Sequence, residues 1–365
     1  MTSNGSPDTC AEWTRCGAAG ILSLLPSYLV VQTSFLGDMI LTTPLLARLA
    51  TEGAVDVVCT PAAGALLANH PAVREVIAYD KRGKDSGIGG MARLAGALRA
   101  RRYDAAFLAQ GSVRSGALAL AAGIPERIGF STSAGRAFYT KRIVSREGEH
   151  HASRLLSLAD RGATVGDAER MHPRPSLFPS HKERSAADEL LRRVSPGEPI
   201  IAFAPGSIWA TKRWPYYADL ARLLAGEARI VVVGAEADRS LSAEIADATG
   251  GGSIDATCRL SLLASAEVIG RARLLVTNDS APLHLASAMN TPTLAVFGPT
   301  VPAFGFGPLA ERATVAEIEG LECRPCDRHG PRRCPLGHWR CMREITAGDV
   351  AALARALLVP PPRSS

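Results

Sequence analysis

Three short stretches carry residue types suited to handling an activated phosphate. Thr33-Ser-Phe-Leu-Gly-Asp-Met joins the apolar run Leu29-Val-Val-Gln to a helical pattern. Gly37 permits a tight turn there, and Asp38 sits by the helix N-terminus, at the strand end where α/β crevices lie. Two roles fit this carboxylate: a helix cap, or a general base toward a hydroxyl. The second stretch, Ala204-Pro-Gly-Ser-Ile-Trp-Ala-Thr-Lys-Arg-Trp-Pro, follows another apolar run and ends in a proline at a helix start. Ser207, Thr211 and Lys212 offer hydroxyl and ammonium donors to phosphate oxygens. A solvated basic loop would read similarly, but two of the chain's four tryptophans flank Lys212, and only five of its 41 basic residues are lysines. The third stretch is Val276-Thr-Asn-Asp-Ser-Ala-Pro-Leu-His-Leu-Ala. Helix-start amides around Ser280, Ala281 and Leu283 form a natural pyrophosphate cradle. Asp279 fits poorly against an anion and reads as a cap or a turn holder. His284 either faces a ligand or is a packed histidine on an apolar helix.

Four of the eight cysteines crowd into Cys323, Cys326, Cys334 and Cys341, while the others are scattered, which argues against a disulfide framework. Four thiolates at this spacing suit a structural zinc or an iron-sulfur cluster, or else remain free or redox-paired. Neither Gly-x-Gly-x-x-Gly nor the P-loop pattern follows either leading strand, which lowers the dinucleotide dehydrogenase and P-loop readings. A net charge of +6 suits a polyanionic partner without naming one.

These turns need rigid elements to hold them. At 365 residues and 47% hydrophobic content, the chain is long enough for two cores. Short β-branched runs alternate with helical patterns through the first half, the rhythm of a parallel sheet with crossover helices. Prolines 173, 175, 179 and 196 and the charged run His181-Lys-Glu-Arg mark a linker over about 165–198, and a second α/β series follows. The expected division is an N-terminal extension over 1–27, domains over 28–180 and 199–345, and a helix over 346–358 that packs back across the junction. The apolar stretch Gly17–Val31 is broken by Ser23, Pro26 and Ser27 and is shorter than the roughly 20 residues a membrane span needs. A cytoplasmic protein is expected.

In this order the motifs resemble the ADP-heptose:lipopolysaccharide heptosyltransferases, glycosyltransferase family 9. The resemblance rests on Phe35-Leu-Gly-Asp-Met-Ile-Leu-Thr-Thr-Pro-Leu-Leu, Tyr103-Asp, Arg127-Ile-Gly-Phe, Pro205-Gly-Ser, Lys212-Arg-Trp, Asn278-Asp-Ser-Ala-Pro-Leu-His-Leu and Thr291-Pro-Thr-Leu-Ala-Val-Phe-Gly-Pro-Thr. Cys334-Pro-Leu-Gly-His is similar to a segment of heptosyltransferase II members. The resemblance implies a GT-B fold, two Rossmann-like domains facing across a cleft, with the acceptor on the N-terminal domain and the nucleotide sugar on the other. It implies inversion at the anomeric carbon without a cofactor or catalytic metal. Asp38 becomes the base for the acceptor hydroxyl. Lys212, helped by Thr211 and Ser207, neutralises the departing ADP. Asp279, Ser280, Ala281, Leu283 and His284 form the diphosphate turn. Ala281 stands where the family commonly has glycine. Glu236 is implied as a ribose contact and Leu260 as an adenine neighbour. The implied partners are ADP-heptose and an acidic lipopolysaccharide inner core, met by basic residues such as Lys81, Arg82, Lys84 and Arg114, with peripheral contact at the cytoplasmic membrane face and no nucleic acid. Two alternatives stay open: a transferase or epimerase of this fold acting on another nucleotide sugar, and a noncatalytic nucleotide- or polyanion-binding module.

Overall fold

Each half of the chain builds the same sheet from a different sequence. In the computed structural model, which describes residues 25–146, 148–161 and 174–359, the first half runs β1 Ser27–Gln32, α1 Leu36–Ala50, β2 Ala54–Cys59, α2 Pro61–Ala65, β3 Glu75–Ala78, α3 Gly87–Ala100, β4 Ala105–Phe107, α4 Val113–Ala121, β5 Glu126–Phe130, β6 Lys141–Ile143 and α5 His151–Leu156. The second runs α6 His181–Leu191, β7 Ile200–Ala204, α7 Tyr217–Leu224, β8 Arg229–Val232, α8 Arg239–Ala248, β9 Ile254–Asp255, α9 Leu262–Arg271, β10 Leu274–Asn278, α10 Ala281–Met289, β11 Thr293–Val296, β12 Ala313–Ala316, α11 Arg340–Arg343 and α12 Ala347–Leu358.

The strand orders are β3-β2-β1-β4-β5-β6 and β12-β11-β10-β7-β8-β9, parallel throughout. Counted from each first strand, both read 3-2-1-4-5-6. The order reverses between β1 and β4 and between β7 and β10, and ligand crevices of such sheets open at the strand carboxyl ends of these switch points. Buried β-branched and leucine side chains fill both faces of each sheet, as a parallel sheet covered by helices requires.

Helix α1 positions the first switch point and touches both halves. It carries Pro44 in its interior, which removes the amide that would bond the Ile40 carbonyl. The Thr43 hydroxyl donates to that carbonyl at 2.8 Å, so the helix continues. Leu41, Leu45 and Leu49 face the first core, while Ile40 joins a cluster of the second half with Leu285 and Ala286 of α10. Helices α1 and α10 pack together and tie the two domains at the crevice.

Two expected features take a different form. The segment read as linker contains α6, with its Ser180 hydroxyl accepting from the Lys182 amide and Glu183 accepting from the Ser180 amide at 2.9 Å. Ala187 and Leu190 bury α6 against α9 and the β7 side of the second core. The C-terminal helix α12 packs within the second half. Its Val350, Ala351, Ala354 and Leu357 stripe packs on α7 and on β10–β12, completing the second domain's own layer. The expected extension, apart from its last residues, and part of the linker lie outside the described residues.

Candidate active site at the interdomain cleft

Helix α1 begins at Leu36, so Asp38 stands in its first turn and Phe35 is the cap residue. One carboxylate oxygen, Oδ2, accepts from the Ser34 hydroxyl at 2.6 Å and from the Phe35 amide at 3.3 Å. The other, Oδ1, lies 3.7 Å from His151 Nε2. The capping contacts therefore fall on one oxygen, and the other is left toward His151. Beside it, Lys81 Nζ donates to the Thr33 carbonyl at 2.7 Å. Burial and the neighbouring Arg82 and Arg114 charges hold the Lys81 ammonium below its ordinary range, so three cations gather at the first switch point. Lys141 instead pairs with Glu126 at 2.8 Å along the sheet edge.

In the second domain Lys212 is buried on a short 3-10 turn, and its Nζ donates to Asp279 Oδ2 at 2.5 Å. The Thr300 hydroxyl donates to the same oxygen at 2.7 Å. Asp279 thus holds the lysine rather than facing an anion. Asn278 fixes the two turns to one another: its amide donates to the Pro205 carbonyl at 2.8 Å, and its oxygen accepts from the Trp214 amide at 3.2 Å. Thr211 donates to the Pro331 carbonyl, and Ser207 Oγ accepts from the Trp209 amide at 3.3 Å. The cysteine-bearing loop therefore forms a wall of this site. Gly330 packs on the Lys212 stem, and His329 stacks on Trp209 and tilts against Phe35 of the first domain.

Ser280 caps α10 with an extended backbone and no side-chain cap bond, and Pro282 lies in the first turn. Among the described residues no backbone carbonyl accepts from the Ser280 or Ala281 amides. His284 is buried, its Nδ1 has no partner among the described residues, and its ring lies against Gly37. Burial pushes it down to about 4, against the opposing pull of Asp279 and Asp38. Glu236 stands on the turn after β8, exposed and paired with Arg239 at 2.8 Å. Leu260 is half-buried just before the Ser261 cap of α9. Glu236 and Leu260 flank the carboxyl side of the second sheet, while Asp38, Lys212 and the 279–284 turn converge on the crevice.

The cysteines form a neighbourhood without an assembled ligand set. Cys323 Sγ lies 3.8 Å from His338 Nε2, and Cys326 Sγ donates to the Cys323 carbonyl. Among the described residues no three His, Cys, Asp or Glu side chains are grouped to hold a metal.

His150, His151 and Arg154 escaped the sequence reading. They follow β6, an edge strand of three residues, and the only signal was a histidine pair near a helix start. The Phe304–Gly307 loop, which reaches the site from beyond β11, was also unmarked, whereas Thr300 ends a stretch already quoted from the sequence.

The family model of glycosyltransferase family 9 (heptosyltransferase) matches residues 91–338. The chain is 30% identical to lipopolysaccharide heptosyltransferase 2 of Escherichia coli K12 over 308 residues, 80% of this chain and 87% of that one. The solved structure of the E. coli ADP-heptose lps heptosyltransferase II superposes with a TM-score of 0.74 at 27% identity, covering 91% of this chain and 98% of that one. The family 9 glycosyl transferase of Veillonella parvula DSM 2008 gives 0.81 at 24% identity, covering 91% and 97%, and shares the fold.

Proposed function

The chain belongs to glycosyltransferase family 9 and is a glycosyltransferase, and from that premise we propose that it moves heptose from ADP-heptose onto the acidic inner core of lipopolysaccharide, with inversion and without a catalytic metal. The supporting observation is the meeting of Asp38 with the 279–284 turn across one crevice, where Gly37 touches His284.

In this reading Asp38 Oδ1 takes the proton from the acceptor hydroxyl, whose oxygen then bonds the anomeric carbon. The bond from that carbon to the β-phosphate oxygen breaks, and ADP leaves. Negative charge grows on the diphosphate as it departs. Lys212 has three N–H donors and spends one on Asp279, leaving the others for phosphate oxygens. The Ser280 and Ala281 amides and the positive end of α10 add fixed dipoles that need no reorganisation during the reaction. Ser207, Thr211, Leu283 and His284 shape the same wall, and Glu236 and Leu260 take the ribose and adenine. Lys81, Arg82 and Arg114 meet the acceptor's phosphates and carboxylates. The enzyme works in the cytoplasm at the inner membrane face, where this acceptor is anchored. Among the described residues no helix is long and apolar enough to cross a membrane.

Incubation of an inner-core acceptor with ADP-heptose or with UDP-sugars, read by mass spectrometry, tests the donor. Product only from a UDP-sugar overturns it. Asp38→Ala is expected to lose about 10²–10⁴-fold in turnover while still binding ADP. Retained turnover in that variant overturns the base assignment.

A further inference from the structure

We propose that His151 is a positioning residue for Asp38, its Nε2–H donating to Oδ1 once the crevice closes on the donor and so aiming the carboxylate at the acceptor hydroxyl. The inference rests on the reading of Asp38 as the base.

The geometry around the carboxylate points this way. Ser34 and Phe35 occupy Oδ2, which leaves the orientation of Oδ1 to whatever meets it from the cleft. His151 Nε2 is 3.7 Å away, and both side chains are mostly buried. That separation is about 0.7 Å longer than a good hydrogen bond. Such contacts commonly tighten only when substrate is bound.

The means of tightening is built into the chain. His151 opens α5, which packs along α1, so imidazole and carboxylate stand on neighbouring elements of the first domain. Yet a loop of the second domain grips the turn that carries His151. The His151 amide donates to the Gly305 carbonyl at 2.7 Å. His150 Nε2 lies 3.0 Å from the Gly307 carbonyl, and Arg154 Nη2 donates to the Phe304 carbonyl at 3.1 Å. The His151 ring also rests on Phe306, with centroids 5.0 Å apart. Gly305 makes the grip feasible. Its φ of +92° suits glycine, and a Cβ there would lie 2.8 Å from the Glu149 carbonyl oxygen. The second domain is thereby tied directly to the His151 turn.

The imidazole is a neutral donor. Burial pushes it down to about 3, and Arg154, His150 and Arg328 act in the same direction. Asp38 faces it at 3.7 Å, His284 feels both groups, and Glu149 acts on the neighbouring Arg154. A neutral N–H orients a carboxylate while lowering its basicity less than an imidazolium would.

Two variants separate donation from packing. His151→Phe keeps a ring against Phe306 and removes the N–H, while His151→Gln keeps an N–H. With ADP-heptose and an inner-core acceptor, His151→Phe is expected to lose about 10- to 100-fold in kcat, with donor KM and melting temperature unchanged. His151→Gln should retain most of kcat. Wild-type kcat in His151→Phe, or equal failure of both variants, overturns the proposal. A second readout needs no turnover. In ADP-saturated protein labelled with 15N-histidine, His151 should carry its proton on Nε2, and that resonance should move in Asp38→Asn. A proton on Nδ1, or no response to Asp38→Asn, overturns the proposal as well. A wild-type enzyme that transfers nothing from ADP-heptose would overturn the donor assignment instead, and the spectra would still decide the role of His151.

Discussion

A Cβ on Gly37 would lie 2.7 Å from Cδ2 of the buried His284 ring, so the first turn of α1 and the first turn of α10 meet with no room for a methyl group. The contact joins the element carrying Asp38, the proposed base, to the element carrying the proposed diphosphate turn. Gly37→Ala is expected to push these turns apart and leave each domain's core intact. A displacement near 1 Å costs about 100-fold when reacting groups must align. Steady-state kinetics should show a fall in kcat of about that size, with a melting temperature close to the parent's. Unchanged kcat would mean that the turns need not meet during the reaction.

The Lys212–Asp279 pair is buried on both sides, with side chains only 10% exposed. Removing one partner leaves the other charge without compensation. Lys212→Met and Asp279→Asn are each expected to destabilise by about 3 kcal/mol. The double variant should recover most of that stability because no buried charge remains. Its ADP affinity should stay weak, since the ammonium is absent. Urea denaturation and calorimetric titration with ADP check the two parts separately. Recovery of ADP binding in the double variant would remove Lys212 from the diphosphate site.

The strand-end turns were legible because parallel α/β sheets put chemistry where a β-branched run breaks into Gly, Ser, Asp or Asn. Asp38, Lys212 and Asp279–His284 stand at such breaks, and the structure brings them to one crevice. The partner of Lys212 was not legible. Asp279 reads as a cap from its neighbours, and only the fold carries it to a lysine 67 positions earlier. Helix α6 was hidden by its polarity, since Ala187 and Leu190 are its only buried residues, although Ser180 and Glu183 have the spacing of a capping box. The path of α12 was open in the sequence because an apolar stripe states that a helix packs and leaves its partner unnamed. The His150–Arg154 turn was invisible for the same reason: its partners are backbone carbonyls of a loop some 150 residues later.

His70 lies outside the cleft and gives a pH prediction independent of the chemistry. Burial pushes it down to about 4, and its Nε2 has no partner among the described residues. Between the unfolded value near 6.5 and the folded value, the unfolded chain binds the proton and the folded protein does not. Stability therefore falls as pH drops through that window, by up to about 3 kcal/mol from this residue. His284, also pushed down to about 4, adds to the same slope. His70 Nδ1 accepts from the Ala72 amide at 3.3 Å, and an asparagine oxygen can take that bond. His70→Asn is expected to flatten the melting temperature profile between pH 6.5 and 4. An unchanged slope would show that His70 takes up its proton alike in the folded and unfolded chain.

Cys334 should be more reactive than Cys326 and Cys341. Burial would raise its thiol, but backbone N–H groups of Trp339, Leu336, Gly337 and His338 surround the sulfur and bring it below the ordinary value. Burial and the neighbouring thiols push Cys341 up to about 11, and burial and nearby thiols also raise Cys326. Because the thiolate is the nucleophile, limiting iodoacetamide at neutral pH should label Cys334 before Cys326 or Cys341, as peptide mapping would report. Cys334 ends the short segment that begins with Gly330 on the Lys212 stem and Pro331 accepting from Thr211. Its adduct is therefore expected to weaken ADP binding, and bound ADP to slow the labelling. Zinc is the discriminating addition: protection of Cys323, Cys326, Cys334 and Cys341 together would assign the cluster to a metal, whereas continued labelling of Cys334 would assign it to free thiols.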